Sequence, residues 1–212
     1  MKTLTITLLL LTNTSYASWT CGQTCPSNSK QLECEFYQLI CKQNFNTNSL
    51  PTWGKKFFPI FAKDIFNQNK KPQRLTKWQR KWLDPFLKQW KINPYKIRIV
   101  YEAKLLNKHQ IFKNWPINIM DDTLAQTFGY IIYIKRAYKP RNGGLLTLLS
   151  HEIYHVKQYQ ELQSIGNFGA EYAKHFVNGG FSYDNNKMEI EAYQAEATFR
   201  KWLCKHRYWR CN

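Results

Sequence analysis

The residues best suited to chemistry stand together at His151-Glu152-Ile153-Tyr154-His155. A hydrolytic zinc site needs neutral nitrogen or anionic ligands at short fixed separations, with three protein ligands leaving one position for water. Two histidines four apart on a helix emerge on the same side, one turn apart, and can grip a single ion. His151 and His155 have that spacing. Glu152 follows the first of them and can reach a water beside the ion, acting as general base and then passing the proton to the leaving group. The competing reading is a pair of core histidines satisfied by hydrogen bonds. Leu145, Leu146, Leu148 and Leu149 make the preceding turns strongly apolar, so the helix is expected to be buried. Buried imidazoles are costly unless something uses their nitrogens.

The third ligand must come from another element. Glu189, Ala192, Tyr193 and Glu196 share one face of a helix, and Glu191 faces away from them. Ala192 is small enough to let this helix come close to the first. Glu189 is therefore the expected ligand, with Glu191 second in line. The alternative for Glu189 is a capping box closed with Asn186. Tyr183, Tyr154 and Tyr193 are candidates to donate a hydrogen bond to an oxyanion or to support a ligand. His175, His206 and Arg98 carry weaker signals.

The elements that would position these residues can be read from pattern. Leu145 to Gln163, Phe168 to Val177 and Asn186 to Cys204 read as three helices. Ile97 to Tyr101 and Gly129 to Ile134 are rich in β-branched and aromatic residues and read as strands. The second of these, through Tyr130, Ile132 and Ile134, is the expected edge on which an extended substrate would pair. Upstream, Lys56 to Phe66 suits a helix that Pro59 starts or kinks. Thr76 caps another, with Trp78, Trp82, Leu83, Phe86 and Trp90 on its apolar side and Pro85 bending it. Pro51-Thr52-Trp53-Gly54 reads as a break, and Gln31 to Cys41 as one further helix. The expected class is α+β and mainly helical: a small sheet packed against the metal-binding helix.

The N-terminus reads as a secretory signal over residues 1–17. Lys2 precedes an apolar run from Leu4 to Leu11, and Ser15-Tyr16-Ala17 offers a cleavage site after Ala17. The run is too short to span a bilayer. A basic, cysteine-containing helical region over 18–95 and a catalytic domain over 96–212 are then expected. Export agrees with six cysteines, Cys21, Cys25, Cys34, Cys41, Cys204 and Cys211. An even count behind a signal reads as disulfides, although the first four could instead form a zinc cluster. On one continuous helix Cys204 and Cys211 would stand about 10 Å apart, too far to bond. At least one bond from this pair to the N-terminal four is expected. The formal charge is +17, with 13 Phe, 13 Tyr and 8 Trp. That balance suits an anionic envelope or membrane surface, or a basic exported protein with solvated lysines. Nucleic acid is not the expected partner.

Residues 97–196 resemble a bacterial family of gluzincin-type HExxH zinc metallopeptidases, described as a domain of unknown function and as the extracellular contractile injection system core domain. The resemblance lies in Ile97 to Tyr101, Thr127 to Ile134, Leu148 to Val156, Gln158-Tyr159 and Glu189 to Ala192. It implies a zincin-like fold with two histidines and a later glutamate, Glu189, as zinc ligands. It also marks a departure: Tyr193 stands where related gluzincins carry an aspartate that orients a ligand histidine. Residues 18–95 fall outside the match. The leading functional expectation is an exported zinc metallopeptidase, secreted or periplasmic, acting on peptide or protein, a wall hydrolase being a minor variant. The alternative is a metal-stabilised binding or toxin-like protein acting on an anionic surface without proteolysis.

Overall fold

The computed structural model describes residues 24, 50–69, 71–106, 123–180 and 182–206. The chain divides into two compact units, Met1–Phe45 and Asn46–Asn212, and every element below belongs to the second. In order these are α1 (Leu50–Gln68), β1 (Gln73–Arg74), α2 (Lys77–Gln89), β2 (Arg98–Tyr101), β3 (Ala125–Phe128), β4 (Ile131–Ile134), α3 (Gly143–Leu162), α4 (Ile165–Asn178) and α5 (Lys187–Lys205). The mixed, mostly helical class expected from the sequence is what these elements make.

The strands form one sheet in the order β1-β2-β4-β3. β2 and β4 run parallel, and β3 is antiparallel to β4 with Thr127 opposite Ile132. Gly129, at φ +64°, and Tyr130 make the two-residue turn between β3 and β4. A left-handed backbone at the first turn position is what a tight hairpin requires, and glycine adopts it without strain.

Helix α3 lies against one face of the sheet. Leu146, Leu149, Ile153 and Val156 share a core with Ile99, Ala125, Ile132 and Ile134. Leu83, Phe86 and Leu87 of α2 and Phe199 and Leu203 of α5 complete that core. Caps begin the helices at chemically apt places. Thr76 and Gln79 form a capping box on α2. Asn142 accepts from the amide of Leu145 at 2.8 Å to start α3. Ser164 does the same for Asn167 at 3.0 Å to start α4.

Helices α1 and α4 meet without intervening side chains. A methyl group on Gly169 would collide with the carbonyl of Gly54 and the ring of Phe58, and one on Gly54 would strike the carbonyl of Gly169. This approach carries Phe58 into contact with Phe128, Phe168 and Tyr172, at centroid distances of 6.1, 6.2 and 5.9 Å.

Several sequence expectations change here. Pro51 to Gly54 is not a break but the opening of α1, because proline is tolerated in a first helical turn. Pro59 and Pro85 lie within helices that continue past them. The boundary expected at residue 96 falls between β1 and β2, which pair in one sheet. The compact unit begins at Asn46, so α1 and α2 belong with the site. The Gly129 to Ile134 strand starts only at Ile131. Cys204 is the cysteine among the described residues and is disulfide-bonded. Cys21, Cys25, Cys34, Cys41 and Cys211, the signal segment and the expected helix over Gln31 to Cys41 lie outside the described residues. Among the described residues no helix is long and apolar enough to cross a membrane.

Candidate metal centre

His151 and His155 stand one turn apart on α3, and Glu189 enters from the first turn of α5. All three are buried, at 4, 6 and 3% exposure. Their reactive atoms form a nearly equilateral triangle. The two Nε2 atoms are 3.2 Å apart, and Glu189 Oε2 lies 3.3 Å from His151 Nε2 and 3.4 Å from His155 Nε2. Such a group could hold a metal ion.

The surroundings determine which way the lone pairs point. Gln158 donates its amide nitrogen to Met188 O at 3.0 Å and Glu191 Oε2 at 3.2 Å. Its amide oxygen is therefore the atom 2.8 Å from His155 Nδ1. An oxygen can only accept, so Nδ1 carries the proton and Nε2 keeps its lone pair. On His151, Glu196 Oε2 lies 3.4 Å from Nδ1, close enough for charge attraction though not aligned as a hydrogen bond. That carboxylate likewise favours a proton on Nδ1. Three electron-rich atoms then face one another out of water, an arrangement that requires a cation at its centre.

Without a metal, that cation is a proton. Burial pulls His151 down, but the carboxylates of Glu189, Glu196 and Glu152 outweigh it and push it up to about 10. His155 is pulled down by burial and raised further by Glu189. Burial raises Glu189, but the adjacent histidines hold it well below the usual carboxylate range.

Glu189 is clamped on both oxygens. Tyr172 donates to Oε1 at 2.9 Å and Tyr183 to Oε2 at 2.6 Å. Burial and the Glu189 charge push both phenols upward, so both remain protonated donors. The N-cap of α5 is made by Asn186 through the amide of Met188, at 3.0 Å. The Glu189 side chain turns to the histidines and tyrosines, so the capping-box alternative does not describe it.

Glu152 is 4% exposed. Its Oε2 accepts from Thr127 Oγ1 at 2.6 Å. Two cavities meet at this carboxylate. One, of about 710 Å³, is bordered by Leu124, Ala125, Leu148, His151, Tyr193 and Arg200 among others. The second, of about 60 Å³, is lined by Phe58, Thr127, Phe128, His155 and Phe168. Thr123, Ala125, Glu152 and Tyr183 border both, and together the cavities follow β3 from Leu124 to Phe128.

The other sequence candidates fall as follows. Tyr183 and Tyr193 are at the site, Tyr193 packing on the His151 ring with centroids 4.5 Å apart. Glu191 supports Gln158 and is not a ligand. Tyr154 packs on Trp90 and under Lys157, away from the triangle. His175 pairs with Glu171 at 3.1 Å. His206 bonds Trp202 O, and Arg98 bonds Tyr95 O and Ile97 O. The expected substrate edge is not available: Ile132 and Ile134 pair with β2 on one side and β3 on the other. Tyr130 sits in the turn against Tyr159. Among the described residues the outer strand beside α3 is β3. Sequence reading missed Thr127, Gln158, Tyr172 and Glu196 as supports. Glu196 and Gln158 left a signal, Glu196 on the Glu189 face and Gln158 three positions after His155 on the same helix.

No protein-family model matches the chain, and neither a curated protein nor a solved structure matches it.

Proposed function

We propose that this chain is a zinc-dependent metallopeptidase, with His151, His155 and Glu189 as ligands and Glu152 as general base. The observation that carries the reading is the triangle of lone pairs beside Glu152. A tetrahedral ion bonded at about 2.05 Å sets its ligand atoms about 3.3 Å apart, and the three separations are 3.2, 3.3 and 3.4 Å. Zinc held there would supply Lewis acidity towards water and a carbonyl oxygen.

The rest falls to the chain's own residues. Glu152 takes a proton from water as the water oxygen bonds to the peptide carbonyl carbon. It then delivers that proton to the amide nitrogen as the carbon–nitrogen bond breaks, releasing an acid and an amine. Tyr183 borders both cavities, but its one phenolic proton goes to Glu189 Oε2, so its part is to hold the ligand carboxylate. Among the described residues β3 is the outer strand of the sheet beside α3, and an extended peptide would run along it. The family resemblance, a zincin-like fold, export to the periplasm or beyond, and an N-terminal region tied by disulfides accompany this reading and rest on the sequence.

A second reading has its own support. The ligands are deeply buried and Glu189 is clamped twice, which suits a metal kept for stability in a basic binding protein acting on an anionic surface. One experiment separates the two. The purified chain should carry about one zinc, and Glu152→Gln should abolish cleavage of a peptide library while retaining the metal. Wild-type protein without zinc at neutral pH would sink the zinc reading. Function that survives Glu152→Gln and collapses with salt would favour the second reading.

A further inference from the structure

We propose that Thr127 is a positioning residue that aims the carboxylate of Glu152. This rests on the reading of Glu152 as the base. Thr127 and Ala125 share one face of β3, the face that meets α3, because alternate residues of a strand point the same way. The hydroxyl of Thr127 reaches Glu152 Oε2 at 2.6 Å and is also 3.4 Å from the Glu152 carbonyl. The short contact is in the range of a hydroxyl donating to a carboxylate.

Three features separate this from routine packing. A helical carbonyl is adjacent, yet the closer acceptor is the side chain. Valine would suit a half-buried strand position as well as threonine does, so the strand does not itself need the hydroxyl. Among the described residues Thr127 is the side-chain donor to Glu152, and Oε1 has no partner there. One oxygen is therefore fixed from the sheet while the other is left towards the space where the two cavities meet. A glutamate has three rotatable side-chain bonds, and the tether removes that freedom before any ligand arrives. Because the tether starts on the outer strand, the strand beside which a peptide would lie and the base that would activate the attacking water are held in one register.

The test uses the full chain loaded with zinc, with Thr127→Val and Thr127→Ser beside the wild type. Crystal structures should place the Glu152 carboxylate differently in Thr127→Val and unchanged in Thr127→Ser. On any peptide the wild type cleaves, Thr127→Val should lower kcat roughly ten- to a hundredfold, the usual effect of losing one hydrogen bond to a charged group. KM and zinc content should hold, and Thr127→Ser should restore the rate. An unmoved Glu152 in Thr127→Val overturns the proposal whether or not a substrate is found. Equal kcat in Thr127→Val, with activity still dependent on Glu152, overturns it while leaving the peptidase reading intact. A displaced Glu152 in a protein that cleaves nothing supports the tether and counts against the peptidase.

Discussion

Gln158 holds its amide oxygen 2.8 Å from Nδ1 of His155, and its amide nitrogen is committed to Met188 O and Glu191 Oε2. The pair fixes the histidine tautomer from behind. It also ties the metal helix to the start of α5, where Glu189 stands.

Replacing Gln158 with leucine should therefore weaken zinc binding with little change in fold. Partners behind metal-binding histidines are typically worth about 10- to 100-fold in affinity. Glu196→Ala should act in the same direction through His151, because its carboxylate lies 3.4 Å from His151 Nδ1 and favours a proton there. Competition with a chromophoric chelator measures both. Wild-type affinity in the two variants would show that neither side chain orients a ligand.

Protons and a bound zinc ion would compete for the same lone pairs. In the metal-free protein His151 rises from 6.5 to about 10. Its contribution to stability is fully present below pH 6.5 and is lost as pH climbs towards 10. Glu189 is depressed from 4.5, so its contribution is present above that pH and lost on acidification. The metal-free chain should be most stable between these values. Zinc needs the histidines unprotonated, so its affinity should grow with pH. The melting-temperature gap between zinc-loaded and metal-free protein should widen from pH 6 to pH 9. A gap that stays flat in calorimetry would contradict the assignment of the proton to the triangle.

The crossing of α1 and α4 has no room for a side chain at Gly169. Gly169→Ala should destabilise the fold by about 1–3 kcal/mol, the usual result of overpacking a close contact. It should also loosen zinc, because Phe58 packs on the ring of Tyr172, which holds Glu189. Denaturant unfolding and zinc competition on one preparation test both parts. Altered stability with unaltered zinc affinity would break the link between crossing and site.

The group that could hold a metal was legible because helical spacing sorts its members within each helix. His151 and His155 are one turn apart, and Glu189 and Glu196 are two turns apart, so 3.6-residue spacing alone puts each pair on a common face. The long-range contacts around them were not legible, although Gln158 stands three positions after His155 on the same helix. Thr127 meets Glu152 across 25 positions and Gln158 meets Met188 across 30, and no periodicity announces such a meeting. Strand β3 was missed because Ala-Gln-Thr-Phe is short and mixed in character. Without β3 in view its partner β4 reads as the edge, whereas apolar Ile131 to Ile134 is better suited to a strand paired on both sides. Tyr130 was drawn into that strand by its aromatic ring, although Gly129 before it already supplies the turn.

Strand β3 also acts as a ruler. It is four residues long, about 14 Å at some 3.4 Å per residue, and the two cavities run along it. On the peptidase reading, a peptide that fills both must extend for that whole length with its scissile bond opposite Glu152. A dipeptide would reach one cavity and leave the other empty, so the shape of the cleft favours cleavage within a chain over removal of single residues from an end.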